Sequence, residues 1–208
     1  QFLLNPFSQV TLDPEGKMNM GWHSLEGMSA PRANFALTVL DNLVYVYGGI
    51  SGTGQGKESH FPTLCQTIAE RYNPNLNKWE NIEINNAPCL AAFGWTSISP
   101  NGDKMLIVGG TDGYVIQQET WTIDFKNLTA TMGSQFDYQI TMNKLIHRAK
   151  DNTVYCFGGY NSMGENYKID LKQKEPEWES YERKHSALLS LASSSQAVFS
   201  SVTDISLV

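Results

Sequence analysis

The chain has 208 residues, a formal net charge of −6 and 11% aromatic residues. This length suffices for one domain with a substantial core. The acidic balance disfavours a nucleic-acid or anionic-membrane binder, because both need clustered Lys and Arg. No stretch is apolar for long enough to span a bilayer, and the opening residues QFLLNPFSQ lack the basic start of a signal peptide. We therefore expect no nucleic-acid partner and no membrane contact.

The start of the chain predicts two strands, around residues 2–6 and 21–28, with a turn of the form Leu4-Asn5-Pro6 and a tryptophan, Trp22. The stretch SQVTLDPEGKMNMG between them is predicted to be a long loop. The second strand is followed by Pro31-Arg32, just before the next apolar stretch begins.

Three hairpins follow, and each has the same plan. An apolar stretch leads into a turn rich in Asp, Asn or Gly, residues that tolerate the positive φ of tight turns. A second apolar strand then ends in Gly-Gly. The three Gly-Gly strands are LVYVYGG (43–49), MLIVGG (105–110) and TVYCFGG (153–159).

A second pair of strands is predicted after each Gly-Gly. The third strand of each unit ends in an apolar residue followed by Asn or Asp, and a tryptophan follows in most units. The third unit has no such tryptophan, and Leu128 to Met132 serve as its fourth strand. These turns are Tyr72-Asn73-Pro74, Ile123-Asp124-Phe125 and Ile169-Asp170-Leu171, and the tryptophans are Trp79 and Trp178.

The spacing between equivalent turns is 68, 51 and 46 residues, and four strands in about 50 residues is the length of a kelch repeat. The order of strand, turn, strand, Gly-Gly, Asn/Asp turn and tryptophan resembles the Kelch family over nearly all of residues 1–182. Departures are the missing third tryptophan and the single Pro-Arg pair.

The resemblance implies an all-β fold, a β-propeller of four-stranded antiparallel blades. The glycines then allow a turn where a Cβ would clash, and the tryptophans pack between blades. The strands amount to about four blades, which implies part of a ring of about six; a small four-bladed ring is the other interpretation. The blade segments of this domain, 1–208, are 1–28, 33–84, 89–132, 138–181 and 185–208.

The tail from His185 to Val208 has Asp204 as its only formal charge. Its composition allows two interpretations, a strip that contacts a partner or membrane and the inner strands of a following blade. The number of serines favours the second.

Three cysteines, Cys65, Cys89 and Cys156, have no metal-like spacing and indicate free thiols in a reducing compartment. The expected localisation is therefore cytoplasmic. A sequon at Asn127 keeps secretion as an alternative.

The four histidines fall in different units without ligand spacing, so we expect no metal, no cofactor and no catalytic residue. Some kelch-type propellers are copper oxidases that use a His pair and a cross-linked Tyr and Cys. A copper oxidase or a secreted sugar-active protein is therefore the alternative function.

The favoured function is a non-catalytic interaction scaffold or a subunit of a multi-protein complex. The resemblance allows a cytoskeletal or ciliary complex, or a ubiquitin-ligase adaptor. It also implies that partners bind the rim that carries the loops between second and third strands, where mobile glycines lie beside polar and aromatic side chains. The predicted partner-binding residues are Lys57, Glu58, His60, Phe61, Asp112, Tyr114, Tyr160, Asn161 and Met163.

Overall fold

In the computed structural model, the described residues are 7–12, 18–51, 64–65, 69–161 and 165–181. They form β-strands joined by tight turns, and every strand pairing is antiparallel. The strands in chain order are β1 Phe7–Leu12, β2 Met18–Leu25, β3 Ala36–Leu40, β4 Leu43–Tyr47, β5 Ile50–Ser51, β6 Leu64–Cys65, β7 Ala69–Asn73, β8 Lys78–Ile82, β9 Gly94–Ser97, β10 Lys104–Val108, β11 Glu119–Asp124, β12 Thr129–Gln135, β13 Lys144–Arg148, β14 Thr153–Phe157, β15 Asn166–Asp170 and β16 Trp178–Ser180.

The described strands form three four-stranded sheets of the same order and two two-stranded pairs, β1–β2 and β5–β6. Sheet 1 is the β1–β2 hairpin. Sheet 2 has the order β3-β4-β7-β8, sheet 3 the order β9-β10-β11-β12, and sheet 4 the order β13-β14-β15-β16. This order, in which each strand lies beside the next, is the blade plan that the sequence predicted. The all-β architecture of propeller blades is therefore confirmed.

Two segments predicted as loops contain strands. The stretch SQVTLDPEGKMNMG was wrongly predicted to be a loop, because Phe7–Leu12 pairs with Met18–Leu25. The β-branched Val10 and Thr11 favour extended backbone there. The long loop after the first Gly-Gly closes at its base, where Ile50–Ser51 pairs with Leu64–Cys65.

The strand β10 explains why a Gly-Gly strand is apolar throughout. Met105 and Ile107 join the core between sheets 2 and 3, whereas Leu106 and Val108 join the core between sheets 3 and 4. Successive residues of a strand point to opposite faces, so a strand between two neighbouring sheets must be apolar on both. All four side chains are buried.

Aromatic rings connect neighbouring sheets. Tyr45 of sheet 2 lies 5.2 Å from Phe125 of sheet 3, centroid to centroid. The Trp178 ring of sheet 4 lies 4.5 Å from Phe136, which follows sheet 3, and its Nε1–H donates to Thr120 Oγ1 at 2.8 Å. Trp178 thus packs between sheets, as the sequence predicted for these tryptophans.

The first glycine of a pair lies against the following sheet. A Cβ on Gly109 would come within 2.0 Å of the Ile140 carbonyl oxygen, and one on Gly48 within 2.6 Å of the Leu90 carbonyl oxygen. Both glycines have positive φ, 63° and 68°. The steric role predicted for these glycines is therefore confirmed at the first two pairs. It is also confirmed at the third pair, where a Cβ on Gly159 would come within 2.8 Å of the Thr141 carbonyl oxygen.

A charged pair is buried inside sheet 2. Arg32 donates to the Glu70 carboxylate, and both side chains have no exposed area. The guanidinium also donates to the Gly48 carbonyl at 3.0 Å, and the Ser29 N–H donates to Glu70 at 2.8 Å. Arg32 of the Pro31-Arg32 pair thus holds the segment that leads into sheet 2 against the Gly-Gly turn.

Within the described ranges, no helix is long and apolar enough to cross a membrane.

Candidate partner-binding rim

The Gly-Gly pairs mark one rim of the sheets, which we call the Gly-Gly rim. There the second strand of each sheet ends and the first strand begins. Backbone hydrogen bonds run along this rim from sheet to sheet: Ala92 donates its N–H to the Asn34 carbonyl at 3.1 Å, and Met142 donates to the Ala92 carbonyl at 2.7 Å. These three residues have φ between 53° and 57°, so they are equivalent positions of a rigid row.

The loop after sheet 3's Gly-Gly presents an aromatic side chain on a fixed turn. Asp112 Oδ1 accepts the N–H groups of Tyr114 and Val115, each at 2.8 Å, and Thr111 Oγ1 accepts the Gly113 N–H at 3.0 Å. These bonds from Val115 and Tyr114 lower the pKa of Asp112 below its usual value. Asp112 thus holds the turn, and Tyr114, 87% exposed, projects from it.

The loop after sheet 4's Gly-Gly carries a second exposed tyrosine. Tyr160 follows Gly159 directly and is 64% exposed, and its N–H donates to the Thr141 carbonyl at 2.8 Å. Asn161 follows it with a φ of 71°, a conformation that Asn tolerates better than most residues.

Two apolar side chains of this rim were not predicted from the sequence. Val115 is exposed beside Tyr114, and Met142 is exposed beside Thr141, the partner of Tyr160. Met142 occurs in the apolar stretch 138–147, which sequence reasoning assigned to a strand. For Val115, the turn at Asp112 could have indicated an exposed position. For Met142, no neighbouring residue indicates a turn. We call these four exposed side chains of the Gly-Gly rim the rim patch: Tyr114, Val115, Met142 and Tyr160.

Five predicted partner-binding residues lie outside the described residues: Lys57, Glu58, His60, Phe61 and Met163. The structure therefore brings Asp112 and Tyr114 of sheet 3 to the same rim as Tyr160 and Asn161 of sheet 4. Partner binding by any of the nine stays a prediction.

Away from the rim, the structure contains a buried thiol. Cys156 is buried and accepts a hydrogen bond from Asn143 Nδ2 at 3.2 Å. Burial raises the pKa of the Cys156 thiol to about 12, which makes it a poor nucleophile. In the described part of the chain, no three His, Cys, Asp or Glu side chains are grouped so as to hold a metal ion.

Comparison with known proteins agrees with this architecture. Residues 31–84, which contain sheet 2 and the buried Arg32–Glu70 pair, match the model of the Kelch motif. This motif, together with the similarity to Kelch-repeat proteins described next, supports the Kelch-repeat architecture of the sheets.

Relatives of known sequence are larger proteins. An F-box/kelch-repeat protein of Arabidopsis thaliana is 28% identical over 61% of this chain and 33% of its own length. Kelch-like protein 26 of Danio rerio is 27% identical over 66% of this chain and 20% of its own length. The flagellar outer-arm dynein alpha chain of Chlamydomonas reinhardtii is 25% identical over 64% of this chain, which is 3% of that protein. The chain thus spans a third or less of each.

Among solved structures, that of YjhT is similar in fold. It superposes with a TM-score of 0.64 at 16% identity and covers 85% of this chain and 58% of YjhT. The chain therefore superposes on 58% of the length of YjhT.

Proposed function

We propose that this chain is a non-catalytic interaction module that binds another protein through the rim patch. The observation that carries the proposal is that two exposed tyrosines, Tyr114 and Tyr160, lie in the loops that follow the Gly-Gly pairs of adjacent sheets. Tyrosine provides a large contact area at low cost in conformational entropy and is enriched among the residues that dominate binding energy.

Rigid support strengthens the proposal. The Asp112 turn fixes Tyr114 before a partner arrives, and the Thr141 bond fixes the backbone of Tyr160. Binding by such preorganised loops loses less entropy than binding by mobile ones. The rim patch contains no charged side chain, so its partner would present an apolar surface with hydrogen-bonding groups for the two phenols.

The relatives supply a context for this function. F-box/kelch-repeat and Kelch-like proteins are named among them, and so is a dynein heavy chain. We accordingly propose that the chain belongs to a cytoplasmic multi-protein complex. This complex would be cytoskeletal, ciliary or of the adaptor type. The predicted loop residues Lys57, Glu58, His60, Phe61 and Met163 would extend the contact from the same rim.

The experiment compares alanine variants in a capture assay with quantitative mass spectrometry. Tyr114→Ala and Tyr160→Ala should each reduce recovery of the same partner at least tenfold, as expected for residues that dominate binding. Leu76→Ala is the matched control, because Leu76 is as exposed as Tyr160 but lies in the β7–β8 turn at the opposite rim. Equal recovery by all three variants would exclude the rim patch as the binding site.

A further inference from the structure

The outer strand of sheet 3 has an open edge. Sheets 2 and 4 pack on the two faces of sheet 3, and β12, Thr129–Gln135, forms its outer boundary without a charged residue or a proline. By contrast, β8 carries Lys78 and Glu80, and β16 has only three residues, one of which is Glu179. Charged side chains and short length keep edge strands from pairing with other chains, and β12 has neither.

One residue of the chain that leaves sheet 2 already bonds to this edge. Asn85 donates its N–H to the Leu128 carbonyl at 2.9 Å, and its own carbonyl accepts the Ala130 N–H at 2.8 Å. The Ala130 N–H therefore points away from β11. The chain then turns off the edge, where the Ala87 N–H donates to the Ile84 carbonyl at 3.3 Å. No other described segment pairs with β12 on this side.

The next residue of β12 whose backbone faces outward is Met132. In an antiparallel ladder, alternate residues direct both backbone groups to the neighbouring strand, and the residues between direct both away. Ala130 and Met132 lie two residues apart in the regular part of the pairing with β11, opposite Ile123 and Trp121, and the irregularity lies beyond Met132. The N–H and the carbonyl of Met132 therefore both point outward, and its side chain is 55% exposed.

We propose that β12 pairs with β12 of a second copy of this chain, antiparallel about a two-fold axis at Met132. A residue on such an axis faces its own counterpart, so the Met132 N–H of each copy donates to the Met132 carbonyl of the other. An edge centred on one outward donor and one outward acceptor is thus complementary to itself. Residues 129–135 line the contact and are all uncharged, so no like charges meet. The contact is separate from the rim patch and does not depend on the proposed function.

Disulfide trapping in the full 208-residue chain tests the register of this pairing. Facing residues of a hydrogen-bonded pair have Cα atoms about 5.5 Å apart, a distance that a disulfide spans. With Met132→Cys, mild oxidation should give a dimer joined from 132 to 132, identified by peptide mass spectrometry.

Asn81→Cys is the matched control for the trapping. Asn81 is exposed in β8 and follows the turn residue Asn73 by as many residues as Met132 follows Asp124. This variant should give no linkage from 81 to 81, because the charged β8 edge does not pair. Absence of the 132–132 linkage, or an equal yield of linked dimer from both variants, would refute the proposal.

The mass of the chain in solution gives a second measurement. Since a single pair of short strands makes a small interface, the association should be weak, and the average mass should rise towards that of two copies between about 10 and 500 µM in sedimentation equilibrium. Met132→Lys places two like charges opposite each other on the axis and should keep the chain at the mass of one copy, whereas Asn81→Lys should associate as the parent does. A parent that stays at the mass of one copy, or a Met132→Lys variant that still associates, would overturn the proposal.

Discussion

The Gly110 N–H donates to the Ile140 carbonyl at 2.8 Å, and this one bond joins the second strand of sheet 3 to the entry of sheet 4. The adjacent Gly109 makes the close approach possible, since its missing Cβ leaves the space that the Ile140 oxygen occupies. Contact between the sheets therefore requires glycine at this position as well as an apolar core.

Substitution of Gly109 tests this dependence. Gly109→Ala places a methyl group 2.0 Å from the Ile140 oxygen at a positive φ and should lower the free energy of unfolding by about 2–4 kcal/mol. Gly133→Ala is the control, because Gly133 is exposed in β12 and its nearest atom would be 3.7 Å away. Its effect should stay within about 1 kcal/mol. Urea denaturation measures both, and equal effects would contradict the close approach.

The buried pair in sheet 2 offers a second test. Glu70→Gln leaves the Arg32 guanidinium buried beside a neutral amide and should cost about 3 kcal/mol or more. Glu80→Gln removes the partner of Arg71 in the same sheet, but those side chains are 57% and 40% exposed, so the loss should be below about 1 kcal/mol. Equal shifts of the denaturation midpoint in the two variants would show that the buried pair stabilises the fold no more than the exposed pair.

Trp178 is expected to stabilise the contact between sheets 3 and 4. Trp178→Ala removes the ring against Phe136 and should cost about 2–4 kcal/mol. Trp178→Phe keeps the ring and loses the hydrogen bond to Thr120, for about 1 kcal/mol. Trp79 packs on Tyr72 of its own sheet and donates its Nε1–H to the Glu26 carbonyl at 2.9 Å in an exposed hydrogen bond. Trp79→Ala should therefore cost less than Trp178→Ala. Calorimetry measures the stability of each variant. A larger loss of stability for Trp79→Ala than for Trp178→Ala would contradict this order.

Thiol labelling tests the buried Cys156. Because burial raises its pKa to about 12, only about one thiol in a thousand is ionised at pH 9. Iodoacetamide should therefore leave Cys156 unmodified in the folded protein, and mass spectrometry should find it modified only after denaturation. Cys89, which is partly exposed, serves as the internal reference. Modification of Cys156 at the rate of Cys89 would show that the core between sheets 3 and 4 opens readily.

The repeat of strands could be predicted because its signals are local. The Gly-Gly pairs, the Asn/Asp turns and Trp178 each have a steric or packing role that recurs with the repeat. The β1–β2 hairpin was predicted in part. The strand expected around 21–28 overlaps β2, Met18–Leu25, but β1 was assigned to a loop because no Gly-Gly follows it.

The candidate rim was predicted only in part. Asp112 and Tyr114 stand out in a short polar loop after Gly-Gly. Met142 lies at the rim in a row of backbone hydrogen bonds that runs from Asn34 through Ala92. This row connects residues of three different sheets, so no local sequence pattern indicates it.

The central claim is that a partner protein covers the Gly-Gly rim, and hydrogen exchange of the chain in complex with its captured partner tests it most directly. We expect peptides over 110–118 and 158–161 to gain protection on binding, whereas peptides over 73–78 and 99–103, at the opposite rim, exchange as in the free chain. Protection confined to 73–78 or 99–103, with 110–118 unchanged, would contradict the account.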